Sequence, residues 1–263
     1  MGAGMALNVL QISDCHLVVP AATLLGVDTQ ASLEAVLTQA CGQRRPDAVI
    51  ASGDLAHDPS RDVYRRFVHT IRRFTEAPLL CLPGNHDVLG AMQAAGLPMA
   101  PLALGAWDIV ALDSHEDDAP SALVNAEDRQ QTGQYLSSAA GKHALLATHH
   151  PPVAINSPWL DKDRIQNADE LVSWLAEQSI RRGKRRLRNI VFGHVHQSVE
   201  NRVGPVSVYG TPSTCFQFAP GSETFTLDTR SPGYRWLHLA DDGSLETQVW
   251  AVDSFPIHIQ LDN

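Results

Sequence analysis

The chain has 263 residues, which suits one large domain or two small ones and is enough to bury a full core. With 44% hydrophobic and 19% charged residues it has the balance of an ordinary water-soluble globular protein. A formal net charge of -9 argues against nucleic acid or an anionic membrane as a partner, so an anionic substrate would need a local source of positive charge.

The N-terminal MGAGMALNVLQIS has no basic region followed by a long apolar stretch, so no signal peptide is expected. No apolar run is long enough to cross a bilayer. The first strand is read at LNVLQI (7–12). TQASLEAVLTQAC (29–41) then sets Leu33, Val36, Leu37 and Ala40 on one helical face. DAVIAS (47–52) is the second strand. Asp58-Pro59 reads as the cap and first turn of a helix over 59–74, with Val63, Phe67 and Ile71 at helical spacing. PLLCL (78–82), WDIVAL (107–112), ALLAT (144–148) and NIVF (189–192) are further strands. A helix over 167–182 opens with Asn167 as cap and Glu170 three positions on, and buries Leu171, Trp174, Leu175 and Ile180.

This β-α-β-α order predicts an α/β fold with much of the sheet parallel. After residue 198 the tracts VGPVSVYG, ETFTL, YRWLHL and SLETQVWAV are strand-like, with Asp242-Gly243 as a hairpin signal. They predict a second, more antiparallel sheet, from about residue 199, packed on the first. No repeat or linker divides the chain, so residues 1–263 are read as one domain. Cys15, Cys41, Cys81 and Cys215 form no CxxC pair and read as reduced thiols of a cytoplasmic protein.

Chemistry-bearing residues follow the strands. Ser13-Asp14-Cys15-His16 follows the first, Gly53-Asp54-Leu55-Ala56-His57-Asp58 the second and Gly84-Asn85-His86-Asp87 the third. Thr148-His149-His150 and Gly193-His194-Val195-His196 follow two later ones. Ligands of open α/β sheets bind beyond the carboxyl ends of strands, so five strand ends offer oxygen and imidazole donors to one place. Asp, His and Asn without a thiolate cluster suit Mn, Fe or Zn. Two metals about 3.5–4 Å apart need a bridging carboxylate and several imidazoles. Asp14-x-His16 and His194-x-His196 are expected to present alternate residues from extended segments. Any one of these groups alone is an ordinary turn; five in this order are not.

The series Asp14-x-His16, Gly53-Asp54, Gly84-Asn85-His86-Asp87, His149 and Gly193-His194-x-His196 resembles the signature of the calcineurin-like metallophosphoesterases. More narrowly the chain resembles the bacterial class III 3′,5′-cyclic AMP phosphodiesterases. That match rests on LLGVDT (24–29), HHPPV (149–153), WLD with Asn167-Ala168, TPSTCFQF (211–218) and TLDTRSPGYRWL (226–237). The resemblance implies a four-layer α/β/β/α sandwich, two mixed sheets flanked by helices. It implies one metal held by Asp14, His16, Asp54 and His196 and another by Asp54, Asn85, His149 and His194, with Asp54 bridging. Iron or manganese is expected, with zinc as a further option. Substrate contacts are implied at Asn85, His86 and His196.

The implied reaction is hydrolysis of cyclic AMP to 5′-AMP by a hydroxide held between two cations. His86, which matches no ligand position, is expected to protonate the leaving 3′-oxygen, with Asp87 orienting its imidazole. A broader phosphoesterase acting on other esters is the alternative, and a non-catalytic scaffold of the same fold the next. Cys15 is read as a small side chain turned away from the metals rather than an oxidation-sensitive thiol. His57 and Asp58 are read as helix start and cap; His150 either orients substrate or packs. The tract 211–218 is assigned to a loop near the site or to a contact in a homodimer. RRGKRRLR (181–188) is read as a solvated helix terminus. His115 is placed at the site edge, and His69, His143, His238 and His258 are left as surface or core residues.

Overall fold

A computed structural model of the chain describes residues 6–116, 122–178, 187–253, 255–257 and 259. Strand β1 (Leu7–Ile12) leads to helix α1 (Thr29–Gln43), β2 (Ala48–Ser52), α2 (Arg61–Phe74) and β3 (Leu79–Leu82). Then come α3 (Leu89–Ala95), β4 (Leu102–Leu104), β5 (Trp107–Ala111), α4 (Ala126–Ser138) and β6 (His143–Ala147). Helix α5 (Ala168–Gln178) precedes β7 (Leu187–Phe192). The remainder is β8 (Val199–Val203), β9 (Val206–Gly210), β10 (Gln217–Phe218), β11 (Leu227–Asp228), β12 (Gly233–Leu239) and β13 (Leu245–Ala251). The basic residues at 181–186, Ile180 and His258 lie outside the described residues.

Local chemistry sets the helix ends. Asp28 caps α1 by accepting from the Ala31 N–H at 2.9 Å. Ser60, not Asp58, caps α2 by accepting from Val63 N–H. Asp58 is spent elsewhere, its carboxylate accepting from Val19 N–H at 3.0 Å. Asn167 likewise turns its amide to both backbone groups of Val124 instead of capping α5. Helices α3 and α4 carry too thin an apolar stripe to register in the sequence; α4 buries only Thr132 and Leu136.

Two sheets result. The first runs β13-β12-β1-β2-β3, with β1, β2 and β3 parallel. The second runs β4-β5-β6-β7-β9-β8, with β5, β6, β7 and β9 parallel between antiparallel edges. Apart from the short β10-β11 pair, the C-terminal strands therefore do not make a sheet of their own. Strands β8 and β9 extend the second sheet beside β7, while β12 and β13 extend the first beside β1. Their burial explains the split: β12 is buried on both faces and belongs inside a sheet, whereas β13 is mostly exposed and ends one.

Alternation along the strands sorts the core into three layers of contact. Leu10, Ile12, Val49 and Ala51 face α1 and α2, meeting Leu33, Val36, Phe67 and Ile71. Val9, Ala48, Ile50 and Leu80 face the other way and meet Ile109, Leu145, Ala147 and Val191 between the sheets. Ala144, Leu146 and Ile190 turn outward to Leu136, Leu171 and Leu175 of α4 and α5. The order is helices, sheet, sheet, helices. Buried Arg235 of β12 ties the sheets by donating to the Gly210 carbonyl at 2.9 Å. No helix among the described residues is long and apolar enough to cross a membrane.

Candidate metal centre

The carboxyl ends of β1, β2, β3, β6 and β7 meet at one rim of the sandwich. Backbone bonds join four of the five loops in pairs: Asp14 N–H donates to Gly53 O at 3.0 Å and Gly193 N–H to His149 O at 3.0 Å. The turns are sharp. Asp14, His16, Asp54, His194 and His196 all have left-handed backbones, with φ of 52°, 45°, 51°, 65° and 47°. An L-residue gives up roughly 1–2 kcal/mol there, a cost that gathers at functional sites. The extended segments expected for Asp14-x-His16 and His194-x-His196 are thus replaced by paired left-handed kinks. The side chains still converge, because the middle residues Cys15 and Val195 turn into the core, fully buried. A Cβ on Gly84 would overlap the Asp54 carboxylate, so only glycine lets the third loop approach so closely.

Seven side chains named from the sequence stand together here. His16 Nε2 lies 3.2 Å from His196 Nε2, which lies 3.4 Å from Asp14 Oδ1. Asn85 Oδ1 lies 3.2 Å from His149 Nε2 and 3.0 Å from His194 Nδ1. Asp54 Oδ2 stands between the two groups, 3.7 Å from His16 Nε2 and 3.4 Å from His149 Nε2. Neighbouring donors around a cation with bonds of about 2.1 Å are roughly 3.0–3.4 Å apart. The spacings fit.

Protonation points the same way. His149 Nδ1 donates to the Ser52 carbonyl at 2.8 Å and His196 Nδ1 to the Phe216 carbonyl at 2.7 Å. Each ring therefore turns Nε2 toward the centre, as metal-ligating imidazoles do. Burial brings the His16 and His194 imidazoles down to about 3, so both are neutral. Burial also pulls His149 down, but the Asp54 carboxylate outweighs it and raises this imidazole to about 9. Burial works against Asp14 and Asp54 as well; His196 and His149, respectively, hold their carboxyls below the usual range. Buried carboxylates at Asp14 and Asp54, facing His16 and His194 imidazoles that burial keeps neutral, are what a divalent cation satisfies. His194 Nε2 and His16 Nδ1 are buried and unpartnered among the described residues.

His86 is exposed at the mouth. Its backbone N–H donates to Asp54 Oδ1 at 2.8 Å, and its ring meets His16 edge-on at 4.9 Å. Asp87 does not orient it. The Asp87 carboxylate is buried and accepts from Leu55, Ala56 and Gly84 N–H at 3.0–3.1 Å and from the Tyr64 hydroxyl at 2.9 Å. Four donors on the far side explain why it turns from His86. Burial and the nearby Asp54 charge raise this carboxyl to about 7. His57 instead stacks on His86 at 5.2 Å, a neighbour that a helix-start reading misses.

His150 is fully buried, its Nδ1 3.0 Å from Ser114 Oγ and its ring 4.8 Å from His194, so it packs behind the centre. His115 is half-buried within electrostatic reach of His150. The tract 211–218 lies against the site: Ser213 Oγ donates to Asp14 O at 2.8 Å and Phe216 carries the His196 carbonyl partner. Burial pushes the Cys15 thiol up, away from thiolate chemistry. His69 is exposed and His143 packs on Trp107 at 5.2 Å. His238 lies 2.9 Å from Asn8 Oδ1. A cavity of about 480 Å³ opens over this floor, with His16, Asp54, Asn85, His194 and His196 below and mainly aromatic and aliphatic walls above.

A model of the calcineurin-like phosphoesterase family matches residues 7–198. The chain is 38% identical over 262 residues to the 3′,5′-cyclic adenosine monophosphate phosphodiesterase CpdA of Pseudomonas aeruginosa, covering 96% of this chain and 93% of that one. It is 37% identical to the protein of the same name from Escherichia coli K12, over 92% and 88% of the two chains. A 3′,5′-cyclic-nucleotide phosphodiesterase of Nostoc is 30% identical over 98% and 97%. The purple acid phosphatase PPD1 of yellow lupin shares the fold with a TM-score of 0.61 and 12% identity, over 98% of this chain and 58% of that one.

Proposed function

The chain belongs to the calcineurin-like phosphoesterase family, and from that premise we propose that it hydrolyses 3′,5′-cyclic AMP to 5′-AMP at a centre of two divalent cations. The observation that carries this reading is Asp54 Oδ2, set between two groups of donors. Asp14, His16, Asp54 and His196 would hold one cation and Asp54, Asn85, His149 and His194 the other. Iron and manganese suit these oxygen and imidazole donors, as does zinc. When bound, such a pair makes water nucleophilic at neutral pH and neutralises phosphate oxygens. The identity to named cyclic AMP phosphodiesterases supports the choice of substrate.

The protein's own groups then have defined tasks. Asn85 and His196 on the floor and His86 at the mouth line the cavity and contact the phosphodiester. The water oxygen joins phosphorus and releases its proton to solvent, the bond from phosphorus to the 3′-oxygen breaks, and His86 gives that oxygen a proton. Asp87 is a positioning residue: its bonds to Leu55, Ala56 and Gly84 fix the backbones on either side of Asp54 and Asn85. Three buried free cysteines suit a reducing cytoplasm.

Steady-state kinetics of manganese-loaded protein on cyclic AMP, cyclic GMP, a 2′,3′-cyclic nucleotide and a nitrophenyl phosphate tests the reading. Cyclic AMP is expected to give the highest kcat/KM. A higher value for the nitrophenyl or 2′,3′-cyclic ester would replace it with a broader phosphoesterase.

A further inference from the structure

The wall of the cavity is more ordered than a lining needs to be. Trp159, Phe218 and Phe225 meet edge-to-face in a closed triangle, at 4.9 Å, 5.5 Å and 5.5 Å between ring centres. The triangle begins at the metal centre, since Phe218 stacks on His196 at 4.1 Å with 19° between the planes. It is also locked from behind. Trp159 Nε1 donates to Ser222 Oγ at 2.9 Å, and Ser222 Oγ donates to Ala219 O at 2.8 Å. The short pairing of β10 with β11 fixes Phe218, and Ala219 N–H to Thr226 O at 2.8 Å closes the hairpin that carries Phe225.

Phe225 is nonetheless 50% exposed. A large ring held rigidly but left half in water presents a flat face for a flat partner. The cavity has a second apolar element in Leu24 and Leu25. These sit in a tight turn closed by Leu24 N–H to Val27 O at 2.9 Å and Val27 N–H to Leu24 O at 2.8 Å. Leu25 there has φ 50°, a conformation unfavourable for leucine that the turn maintains beside the cavity. Apart from Asp54, the only carboxylate among the described lining residues is Asp163. It is half-buried, and a carboxylate can only accept hydrogen bonds.

We propose that the Trp159–Phe218–Phe225 wall, with Asp163 at its polar edge, is a nucleobase subsite that takes a purine bearing an exocyclic amino group. The inference rests on the cyclic nucleotide reaction above. With the phosphodiester on the metal floor, the base stacks along a wall that starts at His196. The 6-amino group of adenine donates to Asp163, whereas hypoxanthine presents a 6-carbonyl that the carboxylate repels.

Kinetics on cyclic AMP and 3′,5′-cyclic IMP test it. Wild-type protein is expected to favour cyclic AMP by about tenfold or more in kcat/KM, as loss of one charge-assisted hydrogen bond implies. Asp163→Asn brings the ratio near unity. Phe225→Ala raises KM for cyclic AMP about tenfold with a smaller effect on kcat. Phe225→Leu keeps apolar bulk without the ring face and behaves like Phe225→Ala, and Phe225→Tyr restores KM. Melting temperature and metal content identify any variant that misfolds; all of these positions are at least partly exposed, and Phe225→Tyr guards against a general folding effect. Cyclic AMP turnover with KM unchanged in Phe225→Ala and Phe225→Leu, or a ratio unchanged in Asp163→Asn, overturns the subsite alone. Wild-type protein inert to both cyclic nucleotides yet active on a nitrophenyl phosphate overturns the reaction, and the subsite with it.

Discussion

Asp54 gives Oδ1 to the His86 backbone N–H and turns Oδ2 toward His16 and His149. Asp54→Asn keeps the shape but removes the charge shared by both donor groups. Metal analysis should find both cations depleted, with affinity lower by at least about a hundredfold. His86→Ala should separate from it: metal content stays while kcat falls roughly 10²–10⁴-fold. Asp87→Asn should differ from both. It leaves one acceptor oxygen for backbone donors that now share two. A loss of about 1–3 kcal/mol is expected in denaturant unfolding, with weaker metal binding. A fall in kcat alone, with stability and metal affinity intact, would restore Asp87 as a support for His86. The sequence showed which residues gather because strand ends mark them. It did not show where Asp87 points, since that depends on N–H groups 31 and 32 positions away.

Helix α2 reaches the centre through one hydroxyl. Tyr64 donates to Asp87 Oδ1 at 2.9 Å and accepts from Val88 N–H at 3.0 Å, linking the helix to the third loop. Tyr64→Phe keeps the buried ring and should cost about 1–2 kcal/mol in denaturant unfolding, with its largest effect on metal retention. Unchanged stability and metal content would mean that α2 supports the loop through packing alone. At this scale periodicity was informative for long, strongly apolar elements: β1, β2, β3, β6 and the faces of α1 and α2 are where their patterns put them. Helix α4 was not visible, although Asn125 with Glu127 and Asp128 behind it is a cap signal and Asn125 does accept from Asp128 N–H at 2.8 Å. The left-handed kinks at Asp14 and His196 left no sign either, because neither residue is glycine.

The whole molecule is closed by its last strands. Leu7 pairs with Leu239 and Gln11 with Arg235, so β12 braces the strand whose end carries Asp14 and His16. Pairing across that sequence distance has no period to betray it, and for this reason the C-terminal strands were assigned to a single sheet. The centre draws donors from both sheets, so cations should stabilise the fold as a unit. Removing metal should lower the melting temperature in one transition; at a free cation concentration of about a hundred times Kd the lost stabilisation is roughly 2.7 kcal/mol per cation. Two separated transitions would show that the sheets unfold independently.

Joint measurement of metal content and product formation tests the central claim most directly. Protein reconstituted with manganese is predicted to retain two equivalents per chain and to convert cyclic AMP to 5′-AMP, while Asp54→Asn retains neither metal nor turnover. Full turnover with one equivalent, undiminished turnover by Asp54→Asn, or no hydrolysis of cyclic AMP with both equivalents bound would contradict it.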